Sequence, residues 1–317
     1  MIVVITLNPA IDRTLVLESD FEYEGINYVG ESITSAGGRG VNVARAIHCL
    51  GGDCRLIGFC GGNNGRSLKD TLTSLGIQHD FTEVAGETRV NTQVVTDKGV
   101  RTDFNERGPE ITEGDYLRFL EKLKLYLKPE NLIVLAGRIP NGMKEEQYVR
   151  IVQNIKAAGA KLLIDADGPT LKKVLPYKPD MIKPNSRELA NLLGTARTTD
   201  PEVTLEEILP LVQNGETRNV CASLGANGAV FVFGEETPLY VVSDVSQLPY
   251  SISNSSVGRG DAMLGAIAHA CNQGMRHEEI AKFAVAMGTA TAAMPGRQMA
   301  SIKDAYVVYE TLKVYTM

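Results

Sequence analysis

The chain has 317 residues, of which 44% are hydrophobic, and its formal net charge is −6. This length allows one large α/β domain or two smaller ones with a sizeable core. An acidic chain without a long basic run is a poor nucleic-acid binder, and no apolar stretch approaches the ~20 residues that span a bilayer, so we expect a cytoplasmic protein with neither partner.

Short apolar runs alternate with amphipathic stretches along most of the chain. Continuous apolar strands between helices are typical of a mostly parallel sheet that is covered on both faces. In chain order, the pattern predicts a strand at 2–7, a helix at 41–50, a strand at 55–60, helices at 65–75 and 116–127, a strand at 132–135, a helix at 145–158, strands at 161–164 and 180–182, a helix at 186–193, strands at 220–224 and 229–232, and helices at 262–272, 278–293 and 302–312.

Two stretches break this rhythm, at about residues 13–34 and 80–106. Their apolar and polar residues alternate without a helical period, which indicates half-exposed strands. We expect them to form a small second sheet, a lid over a substrate cleft. The alternative is an extra hairpin at the edge of the main sheet.

The five cysteines and four histidines form no pattern typical of a metal site. No cysteine pair has C-x-x-C spacing, and there is no H-E-x-x-H motif, so a zinc site is not expected. Free thiols in a reducing compartment are the simplest interpretation.

The segment Gly258, Arg259, Gly260 and Asp261 lies directly before a predicted apolar helix. Glycines allow the backbone to approach a ligand closely, and the free N–H groups of a helix N-terminus favour an anion. A carboxylate beside such an anion hole suits phosphoryl transfer, because it can take the proton of the acceptor hydroxyl. The alternative is that Asp261 only caps the helix.

A second glycine-rich segment at 36–45 also enters a helix, and there Arg39 and Asn42 add a fixed charge and an amide. A plain turn between a strand and a helix is the alternative interpretation. The chain has neither G-x-x-x-x-G-K-[ST] nor G-x-G-x-x-G, so neither a P-loop nucleotidase nor a standard dinucleotide-binding domain is supported.

Several motifs together resemble the ribokinase-like PfkB carbohydrate kinases. The opening T-L-N-P-A-I-D-R-T, the segment 37–44 and the segment 257–263 are similar to conserved parts of that family, the last two to its signatures. Further similarities, in order along the chain, are T-R-V-N at 88–91, the stretch 102–109 that ends in Gly-Pro, K-P-N-S-R-E-L at 183–189 and S-L-G-A-N-G at 223–228. The set spans nearly the whole chain and is most similar to the 1-phosphofructokinase and tagatose-6-phosphate kinase branch.

This resemblance implies the fold, the chemistry and the site. The fold would be a single domain over 1–317, a ribokinase-like three-layer α/β fold with a mostly parallel sheet and a small β lid. The cofactors would be ATP and Mg2+. The catalytic residues would be Asp261 as the base and Gly258, Arg259 and Gly260 at the anion hole. Substrate would be held by Asp12, Gly38, Arg39, Asn42, Arg89, Asn105 and Arg138. The nucleotide would face Lys183, Asn185, Ser223, Gly225 and Gly228, walled by the helix at 286–293, and the metal would be positioned by Asn185 and Glu188.

The chain departs from the family pattern at several positions. Arg259 stands where an alanine is usual, Arg138 where a small serine is usual, Arg39 where this branch has lysine, and Gln93 where lysine is common. Arg259 could add to the stabilisation of the transferred phosphoryl group, or it could fold into the site and block it. The other changes alter the phosphate-binding set, which leaves the identity of the sugar phosphate open.

The resemblance implies transfer of a phosphoryl group to a phosphorylated ketohexose. Fructose 1-phosphate is the first expectation and tagatose 6-phosphate the second. A hypothesis of another class is a catalytically weak sensor that binds sugar phosphate and nucleotide, motivated by Arg138 and Arg259. Relatives can pack through their lids, so a homodimer is also expected.

Overall fold

The computed structural model describes residues 1–248, 258–294 and 298–317. Val257, the first residue of the second signature, lies outside the described residues. The strands are β1 (Ile2–Thr6), β2 (Ala10–Leu17), β3 (Val29–Gly37), β4 (Cys54–Cys60), β5 (Gln78–Glu83), β6 (Arg89–Val95), β7 (Arg101–Asn105), β8 (Leu132–Ala136), β9 (Lys161–Asp165), β10 (Met181–Ile182), β11 (Asn219–Ser223), β12 (Ala229–Phe233), β13 (Leu239–Ser243) and β14 (Leu312–Thr316).

The helices alternate with these strands along most of the chain. They are α1 (Arg39–Cys49), α2 (Gly62–Ser74), α3 (Glu113–Lys124), α4 (Glu145–Ala157), α5 (Gly168–Val174), α6 (Ser186–Leu193), α7 (Pro201–Gln213), α8 (Arg259–Asn272), α9 (His277–Ala293) and α10 (Ile302–Tyr309). None of the helices in the described ranges combines the length and apolar character that a membrane crossing requires.

Within the described residues, ten strands form one sheet in the order β14-β13-β12-β11-β10-β9-β8-β1-β4-β5. Neighbours in this order pair in parallel throughout the run β11, β10, β9, β8, β1, β4 and β5. Strands β12, β13 and β14 are added antiparallel at one edge. In such a sheet, ligands bind at the carboxyl ends of the parallel strands.

Both faces of this sheet are buried. On β1, Ile2 and Val4 face one hydrophobic core, while Val3 and Ile5 face the other, as the two-residue period of a strand requires. Helices α1, α2, α8 and α9 cover the first face, and α3 to α7 cover the second. This three-layer arrangement confirms the predicted fold class.

The other four strands form a separate small sheet in the order β3-β2-β6-β7, counted over the same described residues. The small sheet was predicted, but β5, which overlaps the start of the stretch at 80–106, pairs with β4 of the large sheet instead. The small sheet is called the lid below.

Some elements in the second half of the chain differ from the prediction. The predicted helix 302–312 ends at Tyr309, and the chain then returns as β14 beside β13. Helices α5 and α7 and strand β13 were not predicted. Helix α5 and strand β13 are short, at seven and five residues, and α7 contains Pro210, which interrupts a helical pattern in the sequence.

Candidate active site

A cavity of about 1050 Å³ opens between the lid and the carboxyl ends of the parallel strands. Thr6 ends β1, Gly137 follows β8, and Asp165 ends β9, and all three line it. All the predicted site residues line this cavity: Asp12, Gly38, Arg39, Asn42, Arg89, Asn105, Arg138, Lys183, Asn185, Glu188, Ser223, Gly225, Gly228, Gly258, Arg259, Gly260 and Asp261.

Asp261 lies in the first turn of α8 and is only 9% exposed. Burial, with a smaller effect of the nearby Asp165 carboxylate, raises the pKa of Asp261 to about 6. The N-cap of α8 is Gly258, which has a φ of 84° and no side chain to accept a capping hydrogen bond. Asp261 is therefore not the N-cap, and its carboxylate is available as a base.

The Asp261 carboxylate is held by α1. Asn42 Nδ2 donates to Asp261 Oδ2 at 2.8 Å. Asn42 is itself buried, and Arg45 Nη1 lies 3.4 Å from its Oδ1 as a donor. Asn42 was predicted to hold a sugar hydroxyl, but in this structure its amide nitrogen is directed at the candidate base.

Three polar side chains form a row across the lid strands. Asp12 on β2 pairs with Asn91 on β6, and Asn91 pairs with Asn105 on β7. Asn91 Nδ2 donates to Asp12 Oδ1 at 2.8 Å, and Arg89 Nη1 donates to Asn91 Oδ1 at 2.9 Å. This row presents a carboxylate and amides to the cavity, which suits the binding of sugar hydroxyls.

Gly37 lies beside this row and leaves space for it. A Cβ at position 37 would lie 2.1 Å from Asp12 Cγ, far inside van der Waals contact. The glycine-rich segment thus permits the Asp12 carboxylate to pack against the backbone that enters α1.

Arg39, the first residue of α1, bridges two buried carboxylates. Its Nη1 donates to Asp165 Oδ1 and its Nη2 to Glu188 Oε1, each at 2.8 Å. Lys183 Nζ lies 2.9 Å from Asp165 Oδ2. Asp165 and Glu188, called the carboxylate pair below, are thus neutralised by two cations.

Both cations stay charged. Burial alone lowers the pKa of Lys183, but the neighbouring Asp165 carboxylate, with help from Glu188, outweighs it and raises the pKa above its ordinary value. For Arg39, burial again opposes the charge and the carboxylate pair again raises the pKa. The carboxylate pair is therefore a cation site that side chains of this chain fill.

Asn185 and Glu188 form a capping box at the start of α6. Asn185 Oδ1 accepts from the backbone N–H groups of Arg187 and Glu188, and Glu188 Oε2 accepts from the Asn185 N–H. Their spacing is thus explained by local structure alone. Yet Glu188 lines the cavity, its Oε1 is linked to Asp165 through Arg39, and hard carboxylate oxygens fit Mg2+.

This donor set is a sparse one for a metal. In the described part of the chain, no three His, Cys, Asp or Glu side chains cluster as metal ligands. Mg2+ keeps several waters and is often bound through one or two carboxylates plus substrate phosphates, so the carboxylate pair fits such a site.

The remaining cavity wall comes from the antiparallel edge and from α9. Ser223 ends β11, and Gly225 and Gly228 lie in the turn that follows it. The small residues Gly288, Thr289 and Ala292 of α9 line the same end of the cavity as Ser243 and Val245. Small side chains take up little of the cavity along this wall.

The family comparison decides what this cavity belongs to. The sequence model described as pfkB family carbohydrate kinase matches residues 4–304. The chain belongs to the PfkB family of carbohydrate kinases. It is therefore a phosphotransferase that acts on a sugar or sugar-phosphate hydroxyl, and the predicted family is confirmed.

Relatives of this PfkB kinase cover almost all of it. A 1-phosphofructokinase from Borreliella burgdorferi is 33% identical over 292 residues, 92% of each chain. A 1-phosphofructokinase from Bacillus subtilis is 32% identical over 296 residues, again 92% of each. Phosphofructokinase-2 from Escherichia coli, in complex with fructose-6-phosphate, has a TM-score of 0.88 at 28% identity and 98% coverage of both chains.

Sequence reasoning missed two residues of this PfkB kinase site. Asp165 directly follows a buried apolar strand, which is a sufficient signal for a place at the ligand-binding edge of a parallel sheet. Asn91 was part of a quoted motif, but its contact with Asp12 comes from lid register. The pairing of Arg39 with Asp165 and Glu188 had no sequence signal, because both carboxylates lie more than a hundred residues from Arg39 along the chain.

Proposed function

We propose that this kinase transfers the γ-phosphoryl group of ATP to fructose 1-phosphate and forms fructose 1,6-bisphosphate. The observation that carries the proposal is the buried, raised-pKa carboxylate of Asp261 at the N-terminus of α8, in one cavity with the polar row of the lid. The two curated relatives named above as 1-phosphofructokinases support the choice of sugar.

Asp261 acts as the general base. The sugar's free primary hydroxyl loses its proton to the Asp261 carboxylate as its oxygen bonds to the γ-phosphorus. The bond from that phosphorus to the bridging oxygen breaks, and its electron pair leaves with ADP. A base whose pKa lies near 6 is ionised at neutral pH and still accepts a proton during transfer.

The start of α8 holds the transferring phosphoryl group. The first N–H groups of a helix have no intrahelical partner and favour an anion. Lys183 adds a charge there, because a Cβ on Gly260 would lie only 3.3 Å from its Nζ. Arg259 also lines the cavity, is half-buried and has no ion-pair partner among the described residues, so it is free to support the same phosphoryl oxygens.

Mg2+ would be held near the phosphates by Glu188 and Asp165, with Asn185 fixing the position of Glu188 through the capping box. When bound, it would neutralise charge on the β- and γ-phosphates. Ser223, Gly225 and Gly228 would face the nucleotide, whose ring would pack against the small residues Gly288, Thr289 and Ala292 of α9.

The substrate's own phosphate requires a cation that is not already engaged. Arg138 is exposed in the cavity wall and has no ion-pair partner in the described ranges. Arg89 donates to Asn8 O as well as to Asn91, so it anchors the row of the lid at that end. Arg39 would have to leave the carboxylate pair to reach a phosphate.

The lid exposes apolar side chains, including Ile33 and Phe104 at 45% and 53% exposure. Covering them by a second lid would remove apolar surface from water, so we propose a homodimer formed through this sheet. We also propose a cytoplasmic location, as expected for a kinase of small metabolites.

The test is ADP release from Mg-ATP with fructose 1-phosphate, tagatose 6-phosphate and fructose 6-phosphate in parallel. We expect the highest kcat/KM with fructose 1-phosphate, and we expect Arg138→Met to raise the KM for that sugar more than tenfold, about 1.4 kcal/mol, without changing the KM for ATP. A higher kcat/KM with tagatose 6-phosphate or fructose 6-phosphate would make that sugar the substrate in place of fructose 1-phosphate. Binding of sugar phosphate without turnover of any would favour the sensor hypothesis.

A further inference from the structure

Arg45 lies one turn after Asn42 on α1 and is partly buried. Its Nη1 donates to Ala36 O at 3.2 Å and to Asn42 Oδ1 at 3.4 Å. No carboxylate in the described part of the chain forms a salt bridge with it, although the Asp12 charge acts on it from a distance. Burying a cation without a counter-charge is unfavourable. A half-buried arginine that donates only to two neutral oxygens therefore needs an explanation.

The explanation lies in the two ends of the Asn42 amide. Its nitrogen is a donor and its oxygen an acceptor, and the two ends exchange places when the amide rotates by half a turn. In this structure the nitrogen is on Asp261 and the oxygen faces Arg45. A rotated amide would direct its NH2 group at the guanidinium and its oxygen at the Asp261 carboxylate, and both contacts would be repulsive while Asp261 is ionised.

We propose that Arg45 is a positioning residue for phosphoryl transfer, which holds the Asn42 amide so that its nitrogen always donates to the Asp261 carboxylate. The proposal rests on the proposed role of Asp261 as the base. Without Arg45, the rotated amide becomes available when Asp261 is protonated, because its oxygen can then accept the carboxyl proton. That alternative stabilises the protonated form, so Asp261 would bind its proton more tightly and be a base over a narrower pH range.

Other charged groups also act on Asp261 and set the background. Burial and Asp165 raise its pKa, while the Asn42 hydrogen bond, Arg39 and Lys183 lower it. Arg39 comes from the start of α1, Asp165 from the end of β9 and Lys183 from the segment after β10. Arg45 is not among the charges that act most strongly on this carboxyl, so its influence passes through Asn42.

The first measurement is the titration of the Asp261 carboxyl carbon by NMR, in protein labelled with 13C at the aspartate carboxyl, with Asp261→Asn to assign the signal. Arg45→Met should raise the midpoint by about one pH unit, which is tenfold tighter proton binding. Arg45→Lys keeps a charged donor and should restore most of the wild-type midpoint. Arg66→Met, which removes an exposed arginine of α2 whose partner is Asn63, should leave it unchanged.

The second measurement separates action through Asn42 from a direct charge effect. In an Asn42→Ala background, Arg45→Met should move the midpoint by less than a third of its effect in the wild type, because the amide that it orients is gone. The acidic limb of kcat/KM should shift with the NMR midpoint, while activity above pH 8 stays close to that of the wild type. If Arg45→Met does not fold, Arg45→Leu, which also removes both the charge and the N–H donors, should show the same shift in midpoint.

A folded Arg45→Met protein with an unshifted midpoint, or an equal shift in the Asn42→Ala background, overturns the proposal. The titration needs no turnover. A protein inactive on every sugar would therefore refute the kinase function and leave this test standing, whereas an active kinase with an unshifted midpoint would refute Arg45 alone.

Discussion

Replacing Asp261 by asparagine should abolish activity and stabilise the fold. Asparagine has nearly the same shape, and its oxygen can still accept the hydrogen bond from Asn42 Nδ2. What changes is the charge. Burial raises the pKa of Asp261 from 3.8 to about 6, so the folded protein binds this proton more tightly than the unfolded chain does.

The direction of the stability effect follows from that shift. A carboxyl whose folded pKa is raised contributes stability that is complete below pH 3.8 and is lost as pH rises through 6. Above pH 7 the Asp261 carboxyl is ionised in the native state, and the free energy of unfolding is lowered by the full cost of burying that charge. A shift of about two units at about 1.36 kcal/mol per unit gives an upper limit of about 3 kcal/mol. We expect Asp261→Asn to gain about 1–3 kcal/mol at pH 8 and little at pH 4.

The assay is urea unfolding of both proteins at several pH values between 4 and 8, together with the rate of ADP release. Asp70→Asn, on the exposed side of α2, is the matched control. The difference between its free energy of unfolding and that of the wild type should not grow with pH. Loss of the general base should lower kcat by a factor of about 10² to 10⁴. An Asp261→Asn protein that is no more stable than the wild type at pH 8 would refute the argument, because it would mean that Lys183 and Arg39 fully compensate the buried charge.

Three further predictions concern other parts of the cavity and the lid. Gly37→Ala should raise the KM for the sugar about tenfold and leave the KM for ATP unchanged in steady-state kinetics, because its Cβ would displace Asp12; equal effects on both substrates would contradict this. Arg39→Met should tighten Mn2+ binding to the nucleotide-free protein at least about tenfold, as measured by electron paramagnetic resonance, because it frees the carboxylate pair. Unchanged affinity would show that the guanidinium does not compete with the metal. Phe104→Glu should convert a dimer to a monomer in light scattering, and a wild type that is monomeric at micromolar concentration would remove the dimer.

Much of the fold could be predicted from the alternation of apolar strands and amphipathic helices. The strands at the centre of the large sheet are buried on both faces, so their sequences are continuously apolar and easy to recognise. The carboxyl-terminal strand β14 was missed because it alternates between exposed and half-buried residues at a sheet edge and directly follows a helix.

The candidate site was predicted as a list of residues more successfully than as a set of contacts. The glycine-rich segments and the resemblance supplied the list of candidate site residues, and all of these residues line one cavity in the structure. They did not predict that Arg39 would bridge Asp165 and Glu188, or that Asn42 would donate to Asp261. Such pairings depend on how distant segments meet in three dimensions, and local sequence patterns carry no information on that.

The most direct test of the account is 31P NMR of a mixture of the protein, Mg-ATP and fructose 1-phosphate, run in parallel with the Asp261→Asn protein. We predict that the wild type converts the sugar to fructose 1,6-bisphosphate with one ADP per product, and that the folded Asp261→Asn protein forms almost none. Equal product from both proteins would contradict the assignment of the base, and no product from the wild type would contradict the proposed substrate.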